Sequence, residues 1–380
     1  MQCDIAIIGA GPVGLTLAIL LTQQGHLVHV YEKRRGVAVH SRAIGLHPPA
    51  LEVLHLAGIS SELLARGVPI RGGSGFYGGE KLATLDFSVL RGAYQYVLSL
   101  PQNQTQELLR RQLFHLAPHA LHEGTGFASL LTQGEDMVRF NVQDEHGELF
   151  RRQARWLVAA DGVGSTVRDA LGLSFAGHTF PDQYRMGDYP DTTELGPNAA
   201  LFLHQEGIVE SFPLPGSRRR WVAHFPQDSA ASLSHVVTRR TGHFLETSQG
   251  TMLSDFATAN RTVRKMVHGR IILIGDAAHQ VSPIGGQGLA LGLLDAAALA
   301  AVLNGRANPD RIELVRFERA RLQAAHVAGR QARVNMILGR PFPKPLALAR
   351  NQMIRVLGSN SLVRTAVARK FTMTAGRRKV

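Results

Sequence analysis

The chain has 380 residues, 44% of them hydrophobic and 19% charged, with one cysteine and a formal net charge of +13. This composition excludes a disordered chain or a disulfide-stapled miniature and leaves room for one large domain or two. Cys3 alone cannot form an internal disulfide and suits a reducing compartment. The charge is lopsided: residues 311–380 carry 16 Lys and Arg against only Glu313 and Glu318, whereas residues 1–310 carry 26 basic and 27 acidic residues. No run of about 20 apolar residues reads as a spanning helix. Residues 5–21 have no basic lead and are broken by Gly9, Gly11, Pro12 and Gly14, so no secretory signal is read there. A soluble cytoplasmic protein is the expectation. The basic tail lacks any recognition motif for nucleic acid.

In chain order, residues 4–8 (DIAII) read as a short buried strand ending at glycine. Gly9-Ala10-Gly11-Pro12-Val13-Gly14 then satisfies G-x-G-x-x-G, a helix runs from about Pro12 to Gln24, and Gly25 ends it. Residues 27–31 form a second strand with Glu32 at its end and Lys33 beside it. Gly9 permits the tight turn, Gly11 lets backbone approach a pyrophosphate at a helix N-terminus, and Gly14 lets helix pack on strand. Glu32 lies 18 residues past Gly14, near the offset of an acid that binds ribose hydroxyls. The ordered set predicts a dinucleotide site, and an acid there favours a free ribose diol. Residues 68–100 read as strands, with a turn at Tyr77-Gly78-Gly79. "WLVAADGVGSTVRDALGL" (156–173) reads as a strand, an Asp161-Gly162 turn and a helix start containing Arg168. Residues 199–226 alternate apolar and polar, as in an antiparallel sheet. "LIGDAAHQVSPIGGQGLALGLLDAAALA" (273–300) is a strand end, Gly275-Asp276, a proline corner at Pro283, a glycine cluster and a long apolar helix.

With these motifs in this order, the chain resembles the para-hydroxybenzoate hydroxylase-like, or aromatic-ring hydroxylase, superfamily of FAD-dependent monooxygenases. The resemblance covers about residues 1–340 and rests on the fingerprint at 9–14 with Glu32, on Asp161-Gly162 with Ser165 and Arg168, and on Gly275-Asp276 with His279, Pro283 and Gly288. It implies an α/β fold: a Rossmann-like, glutathione-reductase-type FAD-binding domain (1–67, 101–172, 266–310), an antiparallel-sheet substrate domain (68–100, 173–265) and a basic helical C-terminal segment (311–380). By the same resemblance Arg42 lies near the FAD phosphates and Gln102 near the ribityl chain, with Arg110 or Arg111 close by. Asp276 accepts hydrogen bonds from ribityl hydroxyls. Gly286, Gly288, Leu289 and Ala290 bring backbone N–H groups to the flavin, and Pro283 lines the substrate side. Ala290 departs from the family's frequent Asn, so one side-chain amide is missing.

The resemblance implies FAD reduced by NADPH or NADH, reaction with O2 to a flavin hydroperoxide, and oxygen transfer to an aromatic, polyketide or quinone-type substrate. No second dinucleotide fingerprint is present, in keeping with a reductant that binds transiently. The general base is not named by the sequence. Phe202, Phe212 and His224 are the inward candidates for substrate contact. Two other readings stay open: a non-oxygenating FAD oxidoreductase such as a prenyl reductase or dehydrogenase, and a flavin-holding protein without turnover. The sequence leaves the oligomeric state open. The basic, apolar-faced tail suits peripheral contact with a membrane surface.

Overall fold

A computed structural model describes residues 2–37, 43–227, 229–304 and 309–375. Its first strand, Gln2–Ile8, lies in the middle of an eight-stranded sheet, with Ile5, Ala6 and Ile7 sealed from solvent. Parallel strands need both faces covered, which is why this run is continuously apolar. Val28–Glu32 pairs with it on one side and Leu149–Ala159 on the other, both in parallel. Leu121–Glu123 extends the sheet beyond Val28–Glu32, and Ile271–Leu273 extends it beyond Leu149–Ala159. Thr125–Gln133 and Val138–Asp144 join as antiparallel strands.

The helices Pro12–Gln23 and Gln287–Leu303 pack against each other, and both are buried along much of their length. A helix apolar all round belongs in the interior, and LTLAILL and LGLLDAAALA have that character. They approach closely at one crossing: a Cβ on Gly292 would stand 2.5 Å from a methyl of Val13.

A second eight-stranded sheet runs in the order His279–Gln280, Thr251–Thr262, Ala176–Pro190, Arg218–Phe225, Val209–Leu214, Ala199–Phe202, Gly72–Tyr77, Glu80–Asp86. Its pairs are antiparallel except Ala199–Phe202 with Gly72–Tyr77. Alternation gives it two different faces. Phe202, Val209, Trp221, Ala223 and Phe225 pack beneath Leu233, Val236 and Val237 of the helix Leu233–Thr241. Tyr184, Met186, Leu201 and Val222 pack with Ile284 and Met336 on the other face, so that face looks onto the loop carrying Pro283. The stretch 68–100 is divided. Its hairpin joins the large sheet, whereas Val97–Ser99 lies between Gly45–Leu46 and Val68–Ile70 in a separate three-stranded sheet.

The basic C-terminal segment wraps the body. Asp310 caps Arg311–Gly339 by accepting from the Ile312 N–H. Arg340 then clamps Asp182 through two bonds of 2.8 and 2.7 Å. Lys344–Ser359 and Ser361–Phe371 lie against the strand Glu80–Asp86. The end of the segment reaches the start of Gln287–Leu303, where the Gln287 amide donates to the Phe371 carbonyl at 3.1 Å. Leu346, Leu348, Val356, Leu357 and Leu362 remain exposed on this segment. Among the described residues no helix is long and apolar enough to cross a membrane.

A tight backbone approach lies at the first turn. A methyl on Gly14 would collide with the Gly9 carbonyl oxygen, and Gly9 is fixed at φ +104°. Gly14→Ala is expected to destabilise the fold by about 1–3 kcal/mol, the usual range for overpacking. Urea denaturation checks this, and an unchanged midpoint would contradict the packing.

Candidate functional site

The first strand ends in a turn built around close contact. The Gly9 N–H donates to the Tyr31 carbonyl at 2.8 Å, and a Cβ on Gly9 would stand 2.5 Å from the Ala160 carbonyl oxygen. The fingerprint turn therefore lies directly on the Ala160-Asp161 strand end. Gly11 caps Pro12–Gln23 without any side-chain bond, and Pro12 occupies the first turn. A Cβ on Gly11 would meet nothing within 4 Å. The positive end of the helix, with Val13 and Gly14 in its first turn, thus opens at Gly11 onto free space, the arrangement that holds a phosphate.

Glu32 organises this loop. Its two oxygens accept from the N–H groups of Ala10 at 2.8 Å and Arg34 at 3.0 Å. Lys33 is exposed beside it. The Gln106 amide donates to the Ala10 carbonyl at 2.7 Å, a support that sequence reasoning missed. Its signal was its place four residues after Gln102, on the same face of Gln102–Leu116. Gln102 is tied to the preceding loop through its N–H, which donates to the Ala43 carbonyl at 3.0 Å. Arg42 lies outside the described residues.

In the second motif one Asp161 oxygen accepts from the Thr166 N–H and hydroxyl, at 2.8 and 3.1 Å. The other oxygen is buried and has no protein partner among the described residues. Arg168 is buried, stands 4.1 Å over the Phe175 ring and donates to the Ala277 carbonyl at 3.4 Å. It joins the second motif to the third.

The third motif is held from below by Asp295, which is fully buried. One of its oxygens accepts from the Gly275 N–H at 2.9 Å and meets His279 Nε2 at 2.7 Å; the other accepts from Arg321 Nε at 2.6 Å. Burial alone would raise the Asp295 carboxyl, but His279 and Arg321 outweigh it and hold it below its ordinary value. Burial alone would lower His279, but Asp295 outweighs it and raises the imidazole. Asp295 and Arg321 were not singled out from sequence; a lone acid in an otherwise apolar helix was the available signal. Asp276 points away from this network, is accessible to solvent and has no hydrogen-bond partner among the described residues. The protein packed around it nonetheless desolvates its carboxyl and raises it, against the pull of His279.

Beyond it, the Gly286 N–H donates to the Pro283 carbonyl at 2.8 Å and closes a tight turn. Pro283 and Gly286 are exposed, Gly288 and Leu289 half-buried, Ala290 buried. His47, also missed, is buried against this turn, 3.3 Å from where a Gly286 Cβ would stand. Burial lowers its imidazole to about 4, opposed by hydrogen bonds to the Gly286 and Gly285 backbone, so it is neutral near pH 7. The three motifs meet: Gly9 on Ala160, Val13 against Gly275, its methyls 3.4 Å from where a Cβ on Gly275 would stand, and Arg168 on Ala277. The open first turn at Gly11, the orphaned Asp161 oxygen and the unengaged Asp276 carboxylate fit a dinucleotide laid across them.

The three substrate candidates fall apart in space. Phe202 stacks between Phe76 and Trp221, with ring centroids 5.2 and 6.0 Å away, on the face turned from Pro283. His224 is enclosed: its Nε2 lies 3.3 Å from Asp182, and its Nδ1 would be 2.9 Å from a Cβ on Gly207. Phe212 is half-buried on the loop-facing side, packed with Phe87, Ala368 and Phe371.

Two outcomes follow from this geometry. The His279 contribution is complete below the ordinary imidazole value and is lost as pH rises through its raised native value. The Asp295 contribution is complete above the ordinary carboxylate value and is lost as pH falls through its depressed one. Asp295→Asn is therefore expected to cost about 3–5 kcal/mol, with the gap to wild type widest between about pH 4.5 and 6.5 and narrowing at higher pH. Denaturation midpoints across pH measure it. Asp276→Ala is expected to leave the fold intact and weaken flavin retention, read as loss of yellow colour after gel filtration; full retention would remove Asp276 from the site.

Comparison with known proteins gives the family. The profile of the "FAD binding domain" family matches residues 2–330. A 6-methylpretetramide 4-monooxygenase of Streptomyces rimosus is 32% identical over 331 residues, which are 83% of this chain and 59% of that protein. An uncharacterized aromatic compound monooxygenase of Bacillus subtilis (strain 168) is 32% identical over 321 residues, 81% of this chain and 63% of its own. The chain thus spans about three fifths of the length of these two relatives. A para-nitrophenol 4-monooxygenase of Pseudomonas sp. (strain WBC-3) is 30% identical over 315 residues, 79% of this chain and 77% of that protein. The crystal structure of a p-nitrophenol 4-monooxygenase from Pseudomonas putida DLL-E4 superposes over all of both chains, with a TM-score of 0.89 at 25% identity. With that profile spanning most of its length, the chain belongs to the FAD-binding-domain family that contains the aromatic monooxygenases.

Proposed function

We propose that the chain is an FAD-dependent monooxygenase that hydroxylates a phenolic aromatic or polyketide-type substrate with O2 and NADH or NADPH. The observation that carries this reading is the meeting of three motif loops beneath an apolar sheet face that looks onto the Pro283 turn. One oxygen atom of O2 goes to the ring and the other leaves as water, with the two electrons supplied by the nicotinamide. FAD, when bound, supplies the coupling of nicotinamide oxidation to O2.

The chain's own residues supply position and dryness. The first turn after Gly11 binds the pyrophosphate. Asp276 accepts ribityl hydroxyls, and Gln102 lies beside that chain. The N-terminus of Gln287–Leu303, with Gly288, Leu289 and Ala290 in its first turn, favours negative charge on the flavin side. Tyr184, Met186, Leu201 and Val222, with Ile284, give an apolar wall that excludes water and holds the ring. Phe212 adds to this wall next to Phe371.

Purified yellow protein is expected to consume one O2 per NADPH when given a reactive member of a panel of phenols and tetracyclic polyketides, 4-nitrophenol included. The product is expected to carry label from isotopic O2. NADPH oxidation without oxygen in the product would favour a dehydrogenase or prenyl reductase. Bound FAD that NADPH does not reduce would favour a flavin-holding protein.

A further inference from the structure

The face of the second sheet that looks onto the Pro283 turn is apolar except at a few positions, and among the described residues the charged groups there are paired, with one exception; the Tyr184 hydroxyl and His224 Nδ1 are buried without a hydrogen-bond partner. Arg220 is bidentate on Asp188, at 2.6 and 2.8 Å. Asp182 is clamped by Arg340 and touches His224. Tyr184 is buried, and burial pushes its phenol above the ordinary value, so it stays a neutral hydroxyl. The exception is Glu210. It is 8% exposed, and its carboxylate has no hydrogen-bond or ion-pair partner among the described residues.

Register fixes where Glu210 points. It stands between Leu201 on one neighbouring strand and Val222 on the other, and Val222 pairs onward with Met186. All three belong to the cluster containing Ile284. Its chain neighbour Val209 packs on the opposite face. A carboxylate placed among apolar neighbours without a partner is destabilising, so a structural role does not account for it.

We propose that Glu210 takes the proton from the hydroxyl of a phenolic substrate held between this sheet face and the turn at residues 282–286. The proposal rests on the function given above and names the base for it. The substrate O–H bond breaks, the proton bonds to a Glu210 carboxylate oxygen, and the electron pair stays on the substrate oxygen. From there it raises electron density at the ring carbons ortho and para to it. Nothing is oxidised in this step. The charge moves from Glu210 to the substrate, so the apolar wall carries one negative charge before and after.

Burial raises the Glu210 carboxyl to about 7, which suits a base that works near neutral pH. The groups facing it from the packed elements are Tyr184 and His224 on its own sheet, the Arg220–Asp188 pair, Arg340 on Asp182, and Tyr77 with Arg350 at the far edge. Desolvation alone accounts for the direction of its shift.

The test uses the FAD-loaded protein with Glu210→Gln, which keeps shape, and Glu210→Asp, which keeps the acid. With 4-methylphenol as the kinetic probe, whose hydroxyl stays protonated well above neutral pH as a tyrosine's does, the wild-type kcat/KM is expected to rise with pH through about 7. Glu210→Gln should lose that limb and about 10²- to 10⁴-fold in kcat/KM, and Glu210→Asp should regain the limb. A second readout needs no turnover. At about pH 8, binding of the 4-nitrophenolate anion to oxidised protein should draw close to one proton into the wild type and none into Glu210→Gln, counted by calorimetry in two buffers of different ionisation enthalpy. Equal proton uptake, or equal pH profiles, in wild type and Glu210→Gln would overturn the role of Glu210 while leaving the monooxygenase reading intact. Absence of phenol binding and hydroxylation by the wild type would overturn both.

Discussion

Backbone must pass directly over backbone where Gly9 crosses Ala160 and Asp161, and the rest of the site depends on that crossing. A Cβ on Gly9 would press on the Ala160 carbonyl oxygen and the Asp161 Cα at once. The same loop carries Val13, whose methyls fill the space left by Gly275 and Gly292. One six-residue turn thus fixes the spacing of two other loops that lie far away in sequence. Any side chain at the crossing would separate the open helix end at Gly11 from the carboxylates at 161 and 276. The geometry is set by the absence of atoms, so it leaves no energetic signature of its own except what a substitution reveals.

Electrostatics then holds the third loop in place. Asp295 enters the interior on an apolar helix and is tolerated because a cation, an imidazole and a backbone N–H converge on its two oxygens. Buried ion pairs of this kind are weak stabilisers relative to apolar packing, but leaving one member alone is expensive. Here the arrangement acts as an alignment device. It pins the Gly275 N–H, leaves the adjacent Asp276 carboxylate turned outward, and ties both to Arg321 of the C-terminal helix. The C-terminal segment does so a second time, through Gln287 and Phe371.

What was legible in the sequence was local. The strand, turn, helix and strand over residues 2–32 follow from composition and glycine spacing within thirty-odd positions. The turns at Asp161 and Gly275 were readable for the same reason. What was not legible was the sign of an alternation. Period-two patterning says that Phe202 and Leu201 face opposite ways, but not which way faces the cofactor loops. Phe202 was therefore placed inward, whereas its stack with Trp221 lies under the helix Leu233–Thr241. Arg219 and Arg220, which the sequence did not single out, are both buried in ion pairs. Three arginines in a row carry no sign that carboxylates from other strands will meet two of them.

The same ambiguity hid Glu210. In VESFPL the alternation makes this glutamate the polar half of a strand and does not say which face it takes. The structure pairs that strand on both sides and turns the glutamate toward the covered face. Sheets with one face on a core and one on water place their acids outside, so an acid on the covered face must have been kept against its desolvation. A fixed cation beside it would lower that cost but also lower its basicity, and the cations of this face are already committed to Asp188 and Asp182. Among the described residues the wall keeps its charge pairs closed and leaves the Glu210 carboxylate open. That division is what a site needs if it must accept one proton without holding a second charge.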